Sequence, residues 1–394
     1  MQEFQLIAKT FQGLEEVLAQ ELTELGFNEV QMGKRMVSFV GDKEAMYRAN
    51  FCLRTAVRVL KPFHTFSART PDEVYDAVKT LDWNQYIQPG QTFSIDATVY
   101  SSEFRNSRFV TYRVKDAIVD YFMEQQGRRP NISLTNPDIR INIHIAERDC
   151  TLSLDSSGES LHLRGYRVAS VEAPINEVMA AALVKLSGWK ADCDLIDPFC
   201  GSGTIAVEAA LIARNIYPGV FRKKFGFENW PDFDPDLLSR IYEDDSQERE
   251  FSHHIYAYDL NRNAVIGAEE NAKSAGVADC ITCKQMNGQI GIYQPPAVPS
   301  IPVFGCCKTD AQTLRLAGCL APSATDTILK LMHIHPQAQN LSKPLALDIA
   351  ITSEGDDVRV QFKTQKSSPI QMTYACVIKP DGKLESKDLT LSKK

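Results

Sequence analysis

The chain has 394 residues, 44% of them hydrophobic and 24% charged, with a formal net charge of −7. This composition excludes intrinsic disorder and collagen-like fibre and allows about two to three domains. Averaged over the chain, the acidic balance argues against a general nucleic-acid binder, though not against a local basic stripe.

In chain order, Phe4–Lys9 reads as a strand, and 13–25 carries Leu14, Val17, Leu18 and Leu22 at helical spacing. Two short strands, 30–32 and 36–39, flank the turn Gly33-Lys34; a helix over 43–50 and a strand over 56–65 follow. The order β-α-β-β-α-β is the ferredoxin-like unit, which many functions share. Residues 70–156 continue as a second α+β piece. It has helices over 72–81 and 108–124 and strands over 92–99, 139–144 and 150–154.

Within that piece Arg105, Arg108, Arg113 and Lys115 gather between and beside Phe104 and Tyr112, and Arg128-Arg129 follow. Cations interleaved with aromatics suit phosphate contact and base stacking. The same pattern also fits a solvated helix face balanced by Asp116 and Asp120.

An alanine-rich helix is expected over 174–186. After it comes Asp194-Leu-Ile-Asp-Pro-Phe-Cys-Gly-Ser-Gly-Thr204, running into a helix over 205–214. A buried strand, a tight glycine turn and a helix start make a ligand site at the carboxyl edge of a sheet. Glycines let the backbone approach a ligand closely. The loop is not Gly-x-Gly-x-x-Gly, because Ala206 takes the third glycine's place, and no Gly-Lys-Ser/Thr follows. Asp197 just before it would repel a phosphate. A strand over 254–258 then ends in Asp259, placed to accept both hydroxyls of a ribose. The competing role for Asp259 is N-cap of the helix that runs to Ala275.

Asp197-Pro-Phe-Cys-Gly-Ser-Gly-Thr204, with Glu208-Ala-Ala-Leu-Ile-Ala-Arg-Asn-Ile-Tyr-Pro-Gly219 behind it, resembles the class I S-adenosylmethionine-dependent RNA methyltransferases. More narrowly, the chain is similar to the bacterial branch with an N-terminal THUMP domain, which includes 23S ribosomal RNA guanine-N2 methyltransferases. The supporting segments are Gly13-Leu-Glu, Leu53-Arg-Thr-Ala, Val114-Lys-Asp-Ala-Ile118, Leu163-Arg-Gly-Tyr-Arg167, Ala173-Pro-Ile-Asn176 and Phe225-Gly-Phe-Glu228 with Trp230. The resemblance covers most of residues 1–286. It implies an α+β N-terminal region, a ferredoxin-like unit plus THUMP, followed by an α/β Rossmann-like methyltransferase domain. The expected division is 1–65 for the ferredoxin-like unit, 66–156 for THUMP, 157–172 for a linker, 173–290 for the cofactor-binding domain and 291–394 for an atypical, β-rich tail. The resemblance also implies that the loop residues Asp197, Pro198, Cys200, Gly201, Gly203 and Thr204 hold S-adenosyl-L-methionine. Asp259 would bind its ribose, and the segment with Pro174 and Asn176 would close over it. THUMP domains bind RNA, so Arg105, Arg108, Arg113 and Lys115 become RNA-contact candidates.

The sequence departs from the family where its chemistry is carried, a motif Asn/Asp-Pro-Pro-Tyr/Phe after the fourth strand. In that motif the Asn side chain and a Pro carbonyl orient the target amine while the aromatic ring stacks on the flipped base. The only Pro-Pro is in Tyr293-Gln-Pro-Pro-Ala297, too close to Asn287 for a parallel crossover. Pro302-Val-Phe-Gly-Cys-Cys-Lys-Thr-Asp310 has the position without the residues. Strands are expected over 345–352, 358–363, 372–379 and 384–391. Three explanations stand for this tail: a divergent methyltransferase end, a reading-frame shift, and a recruited segment; the frame shift is favoured. The functional readings are therefore an RNA N-methyltransferase, an RNA- and cofactor-binding protein without turnover, and a DNA adenine-N6 methyltransferase.

Other features carry less. Ten cysteines scattered over the chain fit the reduced thiols of a cytoplasmic protein better than a disulfide framework. Cys280-x-x-Cys283 with Cys306-Cys307 is a weak zinc pattern, so no metal is expected. The N-terminus MQEFQLIAKTF shows no secretion signal, and no apolar run approaches the roughly 20 residues that span a bilayer. The acidic run from Asp232 to Asp245 reads as an exposed insertion.

Overall fold

The computed structural model describes residues 2–104, 106–172 and 174–285, and beyond them the backbone of five strands. The chain divides into two compact units. The first holds residues 1–168, 175–182 and 214–250, and the second holds 169–174, 183–213 and 251–394.

The first unit starts as the ferredoxin-like pattern requires: β1 (Phe4–Lys9), α1 (Glu15–Glu24), β2 (Asn28–Gly33), β3 (Met36–Gly41), α2 (Lys43–Cys52) and β4 (Arg58–Ser67). Alternation puts Leu6 and Ala8 of β1 opposite Phe39 and Val37 of β3, all four fully buried. Asp42 accepts the Ala45 N–H and starts α2. The piece that follows contains α3 (Pro71–Lys79), β5 (Thr92–Tyr100), α4 (Ser107–Gln126), β6 (Asn131–Ile132), β7 (Ile139–Ala146) and β8 (Asp149–Asp155). Thr70 caps α3 and Asn106 caps α4, which ends at Gly127 in the left-handed conformation. Ile139, Ile141, Ile143 and Ile145 bury one face of β7 completely.

The two pieces are not separate sheets. β4 pairs antiparallel with both β1 and β8, giving one eight-stranded sheet in the order β2-β3-β1-β4-β8-β7-β5-β6. Periodicity gives each strand's inward face but not its neighbour, so this continuity is invisible in the sequence.

Residues 214–250, within the span expected for the cofactor-binding domain, group by contacts with this first unit. Their anchor is Arg222, whose guanidinium donates to the carbonyls of Ser157, Glu159, Ser160 and Leu163. Burial lowers its pKa to about 10. Gly165 lies at φ +117 against this segment; a Cβ there would sit 2.1 Å from the Phe221 carbonyl oxygen. The acidic run is only partly an exposed insertion. Asp232 pairs with Lys43, Asp234 caps α7 (Pro235–Glu243), and Leu237 and Leu238 join the core, while Glu243, Asp244 and Asp245 stay exposed.

The second unit contains a three-stranded parallel sheet, order β11-β10-β9: β9 (Leu195–Asp197), β10 (Ile255–Asp259) and β11 (Ile281–Gln285). α6 (Thr204–Ala213) follows β9, and α8 (Arg262–Ser274) follows β10. The remaining helix, α5 (Glu177–Leu186), begins where Asn176 accepts the N–H groups of Val178 and Met179. The terminal strands, β12 (Thr313–Cys319), β13 (Ala346–Glu354), β14 (Asp357–Thr364), β15 (Ile370–Ile378) and β16 (Leu384–Lys393), pair antiparallel in sequence order as a separate sheet. Four of them match the strands expected in the tail; β12 was not foreseen.

One buried carboxylate fixes the connection from α2 to β4. Glu21, 4% exposed, accepts the Arg54 N–H at 2.9 Å, the Thr55 N–H at 3.0 Å and the Thr55 hydroxyl at 2.6 Å. Glu21→Ala strands these buried donors and should cost about 3 kcal/mol. Glu21→Gln keeps one acceptor and should cost about half as much. Urea denaturation measures both, and equal stability of the Ala variant would refute the assignment.

Candidate cofactor site

β9 and β10 are parallel neighbours, Leu195 opposite Ile255 and Asp197 opposite Ala257, and each strand ends in an aspartate. The carboxyl edge of the sheet therefore carries two acids on either side of the loop 198–203. Cys200 N–H donates to the Tyr258 carbonyl at 2.8 Å, and Gly203 N–H donates to the Cys200 carbonyl at 2.8 Å. Gly201 N–H donates to Asp259 Oδ2 at 2.9 Å. The other Asp259 oxygen accepts the Asn261 N–H at 2.8 Å. Asn261, not Asp259, caps α8, by accepting the Asn263 N–H. Asp259 is thus held by two backbone donors, and each oxygen keeps a lone pair for a hydroxyl.

The two loop glycines have different reasons. Gly201 has φ +53 and only Val171 near its missing side chain, at 3.8 Å, so its backbone lies open to a ligand. Gly203 has φ +78, and a Cβ there would stand 2.8 Å from that of Ala268 on α8. Close packing on α8, rather than a ligand, demands the second glycine.

Asp197 is 4% exposed. Its Oδ1 accepts the Phe199 N–H at 3.2 Å, while Oδ2 is buried and has no hydrogen-bond partner. Burial pushes its pKa up to about 7; the Phe199 N–H pulls the other way, and the charge of Asp259 adds a smaller upward push. An unmatched buried carboxylate oxygen calls for a donor that none of the described residues supplies. The polar, partly cationic methionine end of S-adenosylmethionine offers such donors, and its ribose offers the diol that Asp259 can take. Phe199 and Leu260, 63% and 61% exposed, follow the two acids and add apolar surface for a base. The residues present fit that cofactor.

Of the other expected site residues, Pro198 and Thr204 bracket the loop, with Thr204 opening α6 at 3% exposure. The Cys200 thiol is raised far above its ordinary pKa by burial, so it packs rather than reacts. Pro174 is exposed. Asn176 is occupied as the cap of α5, and Arg167, ion-paired to Glu177 at 2.8 Å, also donates to the Ile175 carbonyl.

One important residue escaped the sequence reading. Asn271 on α8 is 1% exposed; it donates to the carbonyls of Ala169 and Ser202 and accepts the Ala169 N–H, each at 2.9 Å. It clasps the glycine loop from behind. The signal was there: an amide on the stripe Ala264, Ala268, Asn271, Ala272 that is otherwise apolar.

The basic cluster on α4 is less available than its sequence suggested. Arg105 lies outside the described residues. Arg113 is ion-paired with Asp72 at 2.7 Å and stacked over Tyr75, and Lys115 pairs with Asp116 at 2.8 Å. Arg108 is exposed, beside exposed Phe109 and Tyr112. Cys306, Cys307 and the segments searched for a catalytic motif also lie outside the described residues. Among the described residues no group of His, Cys, Asp or Glu is arranged to hold a metal, and no helix is long and apolar enough to cross a membrane.

Three family models match the chain in order: an RlmL ferredoxin-like domain over residues 5–60, a THUMP domain over 68–155, and an RMKL-like methyltransferase domain over 164–290. The chain is 39% identical over 296 residues to slr0064 of Synechocystis sp., provisionally named an RNA methyltransferase, covering 75% of this chain and 77% of that protein. It is 42% identical over 273 residues to the ribosomal RNA large subunit methyltransferase K/L of Syntrophotalea carbinolica, covering 67% of this chain but 38% of the longer relative. Among solved structures, SMU.472, a methyltransferase complexed with SAH, superposes with a TM-score of 0.67 at 33% identity, covering 76% of this chain and 79% of the other. The chain belongs to the family of THUMP-bearing, RMKL-like class I methyltransferases.

Proposed function

We propose that this protein transfers a methyl group from S-adenosylmethionine to an exocyclic base amine of ribosomal RNA, with guanine N2 of 23S rRNA as the first candidate target. The observation that carries the cofactor half is the unpartnered Asp197 oxygen beside the open Gly201 backbone and Asp259. The RNA half is supported by the THUMP match and by the names of the relatives.

When bound, the cofactor supplies a methyl group made electrophilic by its sulfonium. Asp197 takes donors from the methionine end, Asp259 takes the ribose hydroxyls, and the loop backbone between them sets the depth of the molecule. Both carboxylates act through position and charge; neither is assigned the base that accepts the departing amine proton.

A second reading, binding without turnover, is favoured by a specific observation. Doubly wound folds of this kind build their sheet in the order 3-2-1-4-5-6. β11-β10-β9 is the 3-2-1 half, and the other described strands of this unit form an antiparallel sheet in sequence order. The Asn-Pro-Pro-Tyr motif that belongs to the 4-5-6 half is also absent from the sequence.

Asp259→Ala should weaken S-adenosylhomocysteine binding about 30-fold by isothermal titration, the worth of charge-assisted hydrogen bonds; unchanged affinity would refute the ribose assignment.

Binding should also depend on pH. The Asp197 pKa is raised to about 7, so the free protein binds this proton below that value, and the cofactor needs the carboxylate. Affinity should therefore rise as pH increases towards 7, about tenfold per unit, and level off above it. Asp197→Asn should bind weakly with a flat profile; a slope that survives in the Asn variant assigns the titration elsewhere.

Tritiated S-adenosylmethionine and undermethylated 23S rRNA separate the two readings. Label in the RNA establishes turnover by this chain, label only in duplex DNA supports adenine-N6 methylation, and cofactor binding without label supports the inactive reading.

A further inference from the structure

The eight-stranded sheet has helices on one face. On its other face, cationic and aromatic side chains from four places in the chain gather in a ring. Lys34, in the β2–β3 turn, places Nζ 5.4 Å from the centre of the Tyr100 ring at the end of β5. Tyr100 lies 6.0 Å from the His144 ring on β7. His144 feels the charge of Lys9 on β1, and Lys9 feels that of Arg35, next to Lys34. The Lys34 side chain thus reaches from the β2–β3 turn to the end of β5, five places from β3 in the sheet order.

The charges here are like charges. Burial first, and then Arg35, lower the pKa of Lys9; burial first, and then Lys9, lower that of His144; no carboxylate offsets either. Among the described residues Lys9, Lys34 and Arg35 make no ion pair. The contrast is Arg58, directly across from Lys9, which is ion-paired with Asp155. Glu15 feels the charge of Arg35, but its two carboxylate oxygens accept backbone N–H groups, those of Arg35 and Gly13.

The turn is also held against strain. Arg35 has φ +58, unfavourable for a residue with a side chain, and is fixed there by its N–H to Glu15 and by the Thr10 N–H to its carbonyl. Tyr100 keeps 47% of its surface exposed. A rigid cationic rim with an exposed ring on a sheet face matches single-stranded RNA, whose phosphates take the charges and whose bases stack.

We infer that the ring of Lys9, Lys34, Arg35, Tyr100 and His144 is the RNA-gripping surface of this protein, binding a single-stranded segment of its substrate. This deepens the proposed function and rests on its RNA half; the face of α4 is the competing surface.

The test uses the full chain and a short fluorescein-labelled single-stranded oligoribonucleotide of 23S sequence, with anisotropy read between about 50 and 200 mM salt. Lys34→Glu should weaken binding at least about tenfold and lower the salt slope by about 0.7 per lost phosphate contact. Tyr100→Ala should weaken it about tenfold with the slope unchanged, because stacking releases no counterions. Lys9→Met keeps the packed stem and should behave like a milder Lys34→Glu. Thermal melting and S-adenosylhomocysteine titration of each variant should match the parent, which excludes misfolding. If these variants bind RNA normally while Arg108→Ala does not, the surface is α4 and this inference fails with the RNA reading intact. If the parent binds no RNA while still binding cofactor, both fail. Duplex DNA binding more tightly than the RNA would also overturn the inference.

Discussion

One hydrogen bond, from the Gly201 backbone N–H to the Asp259 carboxylate at 2.9 Å, ties the loop after β9 to the end of the neighbouring parallel strand β10. Its geometry depends on register: β9 and β10 must pair so that both end at the same edge, each with an acid as its last residue. Gly203 lets α8 approach closely enough to support the loop, and Asn271 ties the loop's back to the same helix. The two carboxylates then differ in kind. Asp259 is half satisfied by backbone, whereas Asp197 is buried with one oxygen unmatched. That difference lets one edge of a small sheet recognise two unlike ends of one molecule.

Much of this was legible in the residues. The glycine loop and the acid after each strand announce themselves, because tight turns are local chemistry. The inward faces of β1, β7 and α4 follow from period alone. What was not legible is what one element does to another. Nothing in β4 says that it pairs on both sides, and nothing in 214–250 says that Arg222 pins it to carbonyls far earlier in the chain. Asp259 was readable as a cap until Asn261 proved to hold that place. The α4 cluster is less free than its sequence suggests for the same reason: Asp72 and Tyr75, on a different helix, engage Arg113. The catalytic motif is a different matter, missing at the level of the residues themselves.

Charge shows the same lesson at another scale. A net charge of −7 describes the chain in bulk, but a ligand meets a patch. Glu15 feels the charge of Arg35 but spends its oxygens on backbone N–H groups and forms no ion pair with the described cations of the Lys9–Arg35 cluster. Some acids elsewhere are paired, as Glu103 is with Arg148, and others sit in the exposed stretch from Glu243 to Asp245. Counting residues treats all these charges as interchangeable, and the hydrogen-bond network makes them unequal.

The eight-stranded sheet has a consequence for heredity. Two family models meet between residues 60 and 68, yet β4 runs from Arg58 to Ser67 and pairs on both sides of that seam. A gene break at this point would hand each fragment an incomplete strand and leave both with an open, aggregation-prone edge. The two modules are separate by sequence statistics but share a single structural member, so a break between them costs both.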